Sequence, residues 1–518
     1  MKLDPDTCYQ SLLSRDRRFD GWFFVAVSST GIYCRVVCPV KPPKRQNCSF
    51  FTTAANAEKA GYRPCLRCRP ELAPGNGLLD LSGNLAQAAA GLIIDGFLNT
   101  GTLSDLAARV GVTERHLRRI FAAEFNVTMV EFAQTQRLLL AKRLLTDSSL
   151  PVTDIALAAG FGSVRRFNDV FVAQYRMTPS RLRKGTGVHA SGDPKKTALV
   201  ANGRDETDSD HKDATPHVRD DARHPLRFQL AYRPPYSWSG VLAFLAHRQI
   251  AGVETIVDDT YNKALAVAHR DTHYIGWISV KNLPKRHAIE VTLSPSLAPV
   301  VGTVLRRMTR LFDLDAQPDL IDVALGPLAQ DLPGMRVPGA FDGFEIAARA
   351  IVGQQVSVAR ARTVLAKIAE AYGSAVSSAV GRDAPDGLFR IFPEAAILAN
   401  ASVESLVQAG LIRMRAQALI DVAQQVASQH ILLEPMAPLR ETLDALRAIR
   451  GVGEWTVQYI AMRALCWPNA FPAGDAVLKR QLGLADHRAV TDHAERWAPW
   501  RAYATLHLWR GAQALENI

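Results

Sequence analysis

Cysteine is scarce in this chain, with 7 among 518 residues, and the spacings are too irregular for a disulfide framework. A small fold stapled by disulfides is excluded. Long apolar runs are also missing. No stretch could span a bilayer and no signal peptide opens the chain, which predicts a cytoplasmic protein with no membrane partner. No short-period repeat appears, although residues 101–184 contain two similar helical halves. Aromatic residues, 8% overall, vanish from residues 185–224, where Asp, Lys, Gly, Thr and Ser dominate. Such a stretch cannot bury a core and reads as a disordered linker. Acidic residues are in deficit: 50 Asp and Glu face 61 Lys and Arg, for a net charge of +11.

The excess of positive charge is concentrated near the front. Residues 1–70 carry 12 Lys and Arg against 5 Asp and Glu, and residues 101–184 carry 13 against 7. Two adjacent basic segments point to a polyanionic partner such as double-stranded DNA. The length suits three or four domains, and a hydrophobic fraction of 48% is ample for their cores.

Four of the cysteines form two close pairs, Cys34 and Cys38, then Cys65 and Cys68. C-x3-C followed by C-x2-C matches what a tetrahedral zinc ion requires. By spacing alone the cluster is either a structural staple or a reactive centre. The other three, Cys8, Cys48 and Cys466, read as small core or surface residues. Arg35, Arg45 and Arg67 belong to a basic shell around the cluster and are candidate DNA contacts.

The runs Asp20-Gly21-Trp22-Phe23-Phe24-Val25-Ala26-Val27, Thr30-Gly31-Ile32-Tyr33-Cys34-Arg35, Cys38-Pro39 and Gly61-Tyr62-Arg63-Pro64-Cys65-Leu66-Arg67-Cys68 resemble the zinc domain of bacterial adaptive-response (Ada-type) alkylation regulators. The resemblance implies one zinc per chain on Cys34, Cys38, Cys65 and Cys68. It also implies that Cys34 irreversibly accepts a methyl group from a DNA methylphosphotriester. Zinc keeps sulfur deprotonated and nucleophilic at neutral pH. Four thiolates on Zn2+ sum to −2 and methylation of one leaves −1, so repulsion against DNA phosphates weakens and repair becomes a binding switch.

Residues 82–184 show helical periodicity in two similar halves. Thr102–Phe121 and Val152–Phe167 each read as a short amphipathic helix, a turn glycine (Gly111, Gly160), a cap residue (Thr113, Ser163) and a second helix. Arg115, Arg118 and Arg119, and Arg165 and Arg166, are long donors near the starts of those second helices, as recognition helices require. One such unit could equally be a core hairpin. Two in tandem, followed by Phe171-Val172-Ala173-Gln174-Tyr175-Arg176-Met177-Thr178-Pro179-Ser180, resemble an AraC-type DNA-binding domain. Promoter DNA and RNA polymerase are the partners this implies.

Residues 225–300 contain alternating runs such as Ala288–Leu293 and predict strands, and residues 301–518 are again helical. Within them, Ile449-Arg450-Gly451-Val452-Gly453-Glu454-Trp455 reads as a hairpin between helices, with Gly451 and Gly453 freeing the backbone to approach a phosphate. A Pro/Gly turn then delivers Asp475 to the start of an apolar helix, where it could be a cap or a catalytic acid. Together with Pro234-Pro235-Tyr236-Ser237-Trp238, Arg310–Leu314, Val352–Ser357 and Ala494–Arg501, these segments resemble the inducible 3-methyladenine DNA glycosylase of bacteria, of the helix-hairpin-helix superfamily.

That resemblance places Asp475 as the catalytic aspartate and Phe244, Trp455, Tyr459 and Trp509 in the base pocket. Gln355 falls where the relatives have an apolar wedge, and Ala476 replaces an aromatic neighbour of the acid. Trp455 stands where lyase relatives carry a Schiff-base lysine, implying a monofunctional enzyme. The Pro-Cys-His motif of a second methyltransferase domain is missing.

The expected architecture is multidomain α+β. A zinc-bound α/β unit spans 1–75, an all-α tandem helix-turn-helix unit 82–184 and a linker 185–224. An antiparallel-sheet α/β subdomain follows at 225–300 and an all-α helix-hairpin-helix domain at 301–518. The expected function is alkylation repair coupled to its own transcriptional control. The alternative is a methylation-triggered activator with a catalytically degenerate glycosylase domain.

Overall fold

The computed structural model describes residues 4–74, 85–185, 224–269, 272–376 and 384–516. All of the expected linker except its two end residues lies outside them. Among the described residues, no helix is long and apolar enough to cross a membrane.

The front unit is built on a four-stranded sheet, β1 (Phe24–Val27), β2 (Ile32–Arg35), β3 (Cys48–Phe51) and β4 (Arg63–Pro64), in the order β3-β1-β2-β4. β1 and β2 form a hairpin whose link contains Gly31 at φ +64°. The short β4 runs parallel to β2 and pairs Tyr33 with Pro64. That register brings Cys34 and Cys65, the next residues of each strand, side by side.

Two helix-turn-helix units follow. In the first, helix Leu103–Arg109 begins with a capping box between Thr102 and Asp105, and helix Glu114–Phe125 starts where the Thr113 hydroxyl accepts from the amide of His116. In the second, helix Val164–Tyr175 is capped in the same way by Ser163. Gly160 has φ +88°, and a Cβ there would meet Asn99 Oδ1 at 2.3 Å, so the turn needs glycine twice over.

The expected unit 82–184 holds two cores rather than one. The first surrounds Leu106, Leu117, Phe121 and Phe132. The second, with Leu144, Phe167 and Phe171, is continuous with Phe228, Val291 and Leu305 of the back half. The amphipathic helices therefore complete their burial against a partner more than a linker's length away in sequence. Arg143 reinforces this contact by donating to the carbonyl of Gln229 at 2.7 Å.

The back half opens with a five-stranded, wholly antiparallel sheet. Its strands are β5 (Leu226–Ala231), β6 (Glu254–Val257), β7 (Thr260–His269), β8 (Thr272–Leu283) and β9 (Ala288–Leu293), in the order β5-β9-β8-β7-β6. Helix Trp238–His247 connects β5 to β6. Helices then dominate the described residues from Val301 to Glu516.

Candidate functional sites

The ligand atoms of Cys34, Cys38, Cys65 and Cys68 lie within 4.8 Å of one another, and all four residues are buried. A zinc tetrahedron with bonds near 2.3 Å places its sulfurs roughly 3.8 Å apart, so this donor set fits that ion. Backbone amides support the sulfurs: Arg35 N–H donates to Cys68 Sγ at 3.3 Å and Arg67 N–H to Cys65 Sγ at 3.4 Å. Cys38 accepts from the amide of Val40. Of the remaining cysteines, Cys8 and Cys48 are buried and Cys466 is half-buried.

The basic shell divides. Arg67 is exposed. Arg45 is half-exposed, lies over the rings of Tyr9 and Phe50 and pairs with Asp6 at 3.1 Å. The expectation that Arg35 faces DNA needs correction. Arg35 is 8% exposed, forms an ion pair with Asp20, and donates to the Cys68 carbonyl at 3.3 Å. Its charge holds the cluster's frame because β2 turns its side chain inward, which the residue count alone did not reveal. Arg115, Arg118, Arg119, Arg165 and Arg166 are all exposed on their helices. Arg118 also pairs with Glu114 one turn earlier at 2.5 Å.

In the back half, helices Leu439–Ala448 and Glu454–Arg463 flank the hairpin. Gly451 has φ +93°. Gly453 is exposed, and a Cβ on it would meet nothing within 4 Å, so the approach to this backbone is open. Gln354 ties the hairpin down, donating to the Gly451 carbonyl at 2.9 Å and to Thr456 Oγ1 at 2.8 Å. Its neighbour Gln355 is exposed at φ +51°, on the turn that follows helix Gly343–Val352.

Asp475 caps helix Ala476–Leu482, its Oδ1 accepting from the amides of Val477 at 2.9 Å and Leu478 at 3.1 Å. The carboxylate does more than cap. Trp455 Nε1 donates to Oδ2 at 2.7 Å and Trp509 Nε1 donates to Oδ1 at 3.1 Å. Four N–H groups therefore fix both oxygens at the edge of an aromatic cleft. Trp455 and Tyr459 are in stacked contact, with centroids 5.3 Å apart. Phe244 and Trp509 are nearly parallel, 13° apart in plane, with centroids separated by 6.4 Å. A planar base held between two rings needs roughly 7 Å, twice a van der Waals separation of about 3.5 Å. The Phe244–Trp509 pair falls short of that spacing, because 6.4 Å between centroids is an upper bound on the gap between the faces. A cavity behind Phe244, of about 20 Å3, holds little more than one water and is too small for a base.

The matching families follow this geometry. "Metal binding domain of Ada" matches residues 7–71 and "Helix-turn-helix domain" matches 106–185. "AlkA N-terminal domain" matches 227–342 and "HhH-GPD superfamily base excision DNA repair protein" matches 348–496. A Mycobacterium tuberculosis protein named "Probable bifunctional transcriptional activator/DNA repair enzyme AlkA" is 34% identical over 516 residues, covering 98% of this chain and 96% of its own. The chain belongs to this family of bifunctional transcriptional activator/DNA repair enzymes. It is also 36% identical over 282 residues to DNA-3-methyladenine glycosylase 2 of Escherichia coli, covering 54% of this chain and 96% of that one. The Escherichia coli bifunctional transcriptional activator/DNA repair enzyme Ada is 33% identical over 183 residues, 35% of this chain and 50% of that one.

As a member of this family, the chain combines a regulatory, DNA-binding front half with a glycosylase back half, and the four-cysteine cluster is a site for one zinc ion. Sequence reading missed several residues at the sites. Gln354 braces the hairpin and stood unremarked beside Gln355. Arg463 lies 4.9 Å from the Phe244 ring and donates to Tyr459 Oη at 2.9 Å. Arg248, four residues after Phe244 at a helix end, lies over the same ring. Its helical spacing from Phe244 was the only available signal.

Proposed function

We propose that this protein repairs alkylated DNA at two centres and converts one repair event into transcriptional activation. In the front centre, Cys34, Cys38, Cys65 and Cys68 would hold a zinc ion, which would keep their thiolates deprotonated. Cys34 Sγ attacks the methyl carbon of a methylphosphotriester. The new S–C bond forms as the C–O bond breaks, and the electron pair stays on the phosphate oxygen. The match of residues 7–71 to the metal binding domain of Ada supports the choice of Cys34 as acceptor. The other three sulfurs remain as ligands. The methylated front half then binds promoter DNA through the helices that carry Arg115, Arg118, Arg119, Arg165 and Arg166, with Arg45 and Arg67 beside the cluster, and engages RNA polymerase in the cytoplasm.

In the back centre, Gly451 and Gly453 present backbone to a phosphate, and Gln355 fills the gap left in the duplex. A damaged nucleotide swings out and its base enters the cleft of Phe244, Trp455, Tyr459 and Trp509. The bond from C1′ to the base nitrogen breaks with its electrons leaving on the base. The Asp475 carboxylate stabilises the positive charge that develops on the sugar while water adds at C1′ and releases a proton. An alkylated, cationic base such as 3-methyladenine is a good leaving group. Trp455 supplies no amine, so the reaction stops at the abasic site. The carboxylate held by two indole N–H groups at the lip of an aromatic cleft carries this reading.

The test is a single incubation with methylated duplex DNA. One added methyl on the peptide containing Cys34, together with release of 3-methyladenine and no borohydride-trapped adduct, is expected. A methyl on Cys38 or Cys65 moves the acceptor. Release of no base leaves the back half as a DNA-binding module.

A further inference from the structure

A cation lies against one wall of the aromatic cleft. The Arg248 guanidinium carbon is 3.9 Å from the Phe244 ring centroid and 5.6 Å from that of Trp509. With the two ring centroids 6.4 Å apart, these distances place the guanidinium against Phe244 but well off the line joining the centroids, at the wall of the cleft rather than between the two rings. It is held there by a donation from Nη1 to the Phe244 carbonyl at 3.3 Å and by a side-chain hydrogen bond with Tyr459.

The charges around it are unbalanced. Behind the cleft, Glu345 pairs with Lys263 at 2.8 Å and with Arg349 at 2.6 Å, and Glu254 pairs with Arg349 at 2.6 Å. Those two carboxylates are matched by those two cations. Among the described residues, neither Arg248 nor Arg463 has a carboxylate within ion-pair distance. Both arginines lie on the ring faces of the cleft, with Arg463 4.9 Å from Phe244 and 5.7 Å from Tyr459. Arginine does not shed its proton in a protein, so this positive charge is permanent.

An electron-rich cleft by itself favours a cationic base through its ring faces. A guanidinium against the wall of that cleft opposes that preference, because like charges a few ångströms apart in a poorly solvated site repel strongly. It also offers donors to the carbonyl and ring-nitrogen acceptors of a neutral base. We propose that Arg248 is the residue that sets charge selectivity in this cleft, handicapping cationic bases relative to neutral bases of the same shape. This rests on the glycosylase reading of the same cleft.

The experiment compares two duplexes that differ in charge and hardly in shape. One carries 7-methylguanine, a cation, and the other carries 7-methyl-7-deazaguanine, its neutral isostere. Affinities are measured with zinc-loaded full-length protein in an Asp475→Asn background, so no excision interferes. Arg248→Met keeps length and apolar packing and removes the charge; it should shift the affinity ratio toward the cation by roughly tenfold or more. Arg248→Lys keeps the charge and should retain the parent ratio. An unchanged ratio in Arg248→Met, or an equal shift in Arg248→Lys, overturns the proposal. Release of 7-methylguanine by the protein with Asp475 intact is scored separately. Failure there sinks the glycosylase reading, while the affinity ratio still decides the role of Arg248.

Discussion

The cysteine cluster draws its four sulfurs from two short segments, 34–38 and 65–68, and the pairing of Tyr33 with Pro64 suffices to bring them together. The Asp475 carboxylate, in contrast, takes its donors from three places far apart in the chain: Trp455, the amides of Val477 and Leu478, and Trp509. In the first site a short strand register sets four sulfurs around the place that a zinc ion would take. In the second the packing of a large helical domain holds the groups in place. The front site should therefore fail when its metal is lost, and the back site when one of its donors or its charge is lost.

The largest expected effect separates the two. Chelation, or Cys65→Ser, should unfold residues 4–74, because structural thiolate zinc contributes about 10 kcal/mol or more in small domains. Hydrogen exchange should show loss of protection there while helix Glu454–Arg463 stays protected. Joint loss of protection would show that the two sites share one folding unit.

Next in size is Asp475→Asn. The amide can still cap Val477 but cannot supply negative charge to the sugar. Single-turnover excision should fall roughly 10²–10³-fold, in the range for loss of an electrostatic stabiliser. Zinc content and duplex affinity should hold. Trp455→Phe, which keeps the stack and removes one donor, should cause a smaller loss.

A third prediction concerns the seam between the front sheet and the helix-turn-helix units. Glu58 is buried, accepts from Tyr33 Oη at 3.1 Å and from Thr135 Oγ1 at 2.7 Å, and burial pushes its carboxyl up from 4.5 to about 7. Between those values the folded chain keeps a proton that the unfolded chain has released. Stability should therefore fall as pH rises through that window, by up to about 3 kcal/mol from this group. Thermal melts of Glu58→Gln should lose this part of the pH dependence and be the more stable variant at pH 8. An identical pH profile for both proteins would remove Glu58 from the seam's energetics.

The smallest effects belong to the exposed arginines. Arg165→Ala should weaken binding to a specific duplex by about 1–3 kcal/mol if the side chain reads a base, without altering the melt. Arg35→Ala should do the reverse, lowering stability by stripping Asp20 of its buried partner. If Arg35→Ala instead left the melt intact and weakened DNA binding, its place in the frame would be wrong.

Much of the chemistry was legible because short spacings carried it. Two close cysteine pairs, a glycine–cap pair repeated after about fifty residues, and a Gly-Val-Gly hairpin each state a local geometry, and the structure has the hairpin's glycine in the left-handed region. Asp475 was readable as a cap or as an acid, and it turns out to sit at a helix start with two indoles on its oxygens. The rest depended on burial and on contacts distant in sequence. Arg35 looked like a surface cation among others, since nothing nearby says that Asp20 lies against it. Trp455 was legible as an aromatic but not as a hydrogen-bond donor. Arg248 carried no motif.

By itself, then, the sequence determined the order of units, the four ligands and the residue types each site requires, because these depend on spacing and on the intrinsic chemistry of the side chains. Only the tertiary structure decided which charges are neutralised and which are left facing a cleft. It merged the second helix-turn-helix core with that of the back half, and it brought Trp509 to Asp475 across 34 residues. Those outcomes follow from how apolar faces bury against one another. Burial is a property of the packed whole, and it in turn sets whether a charge is screened, paired or left to act.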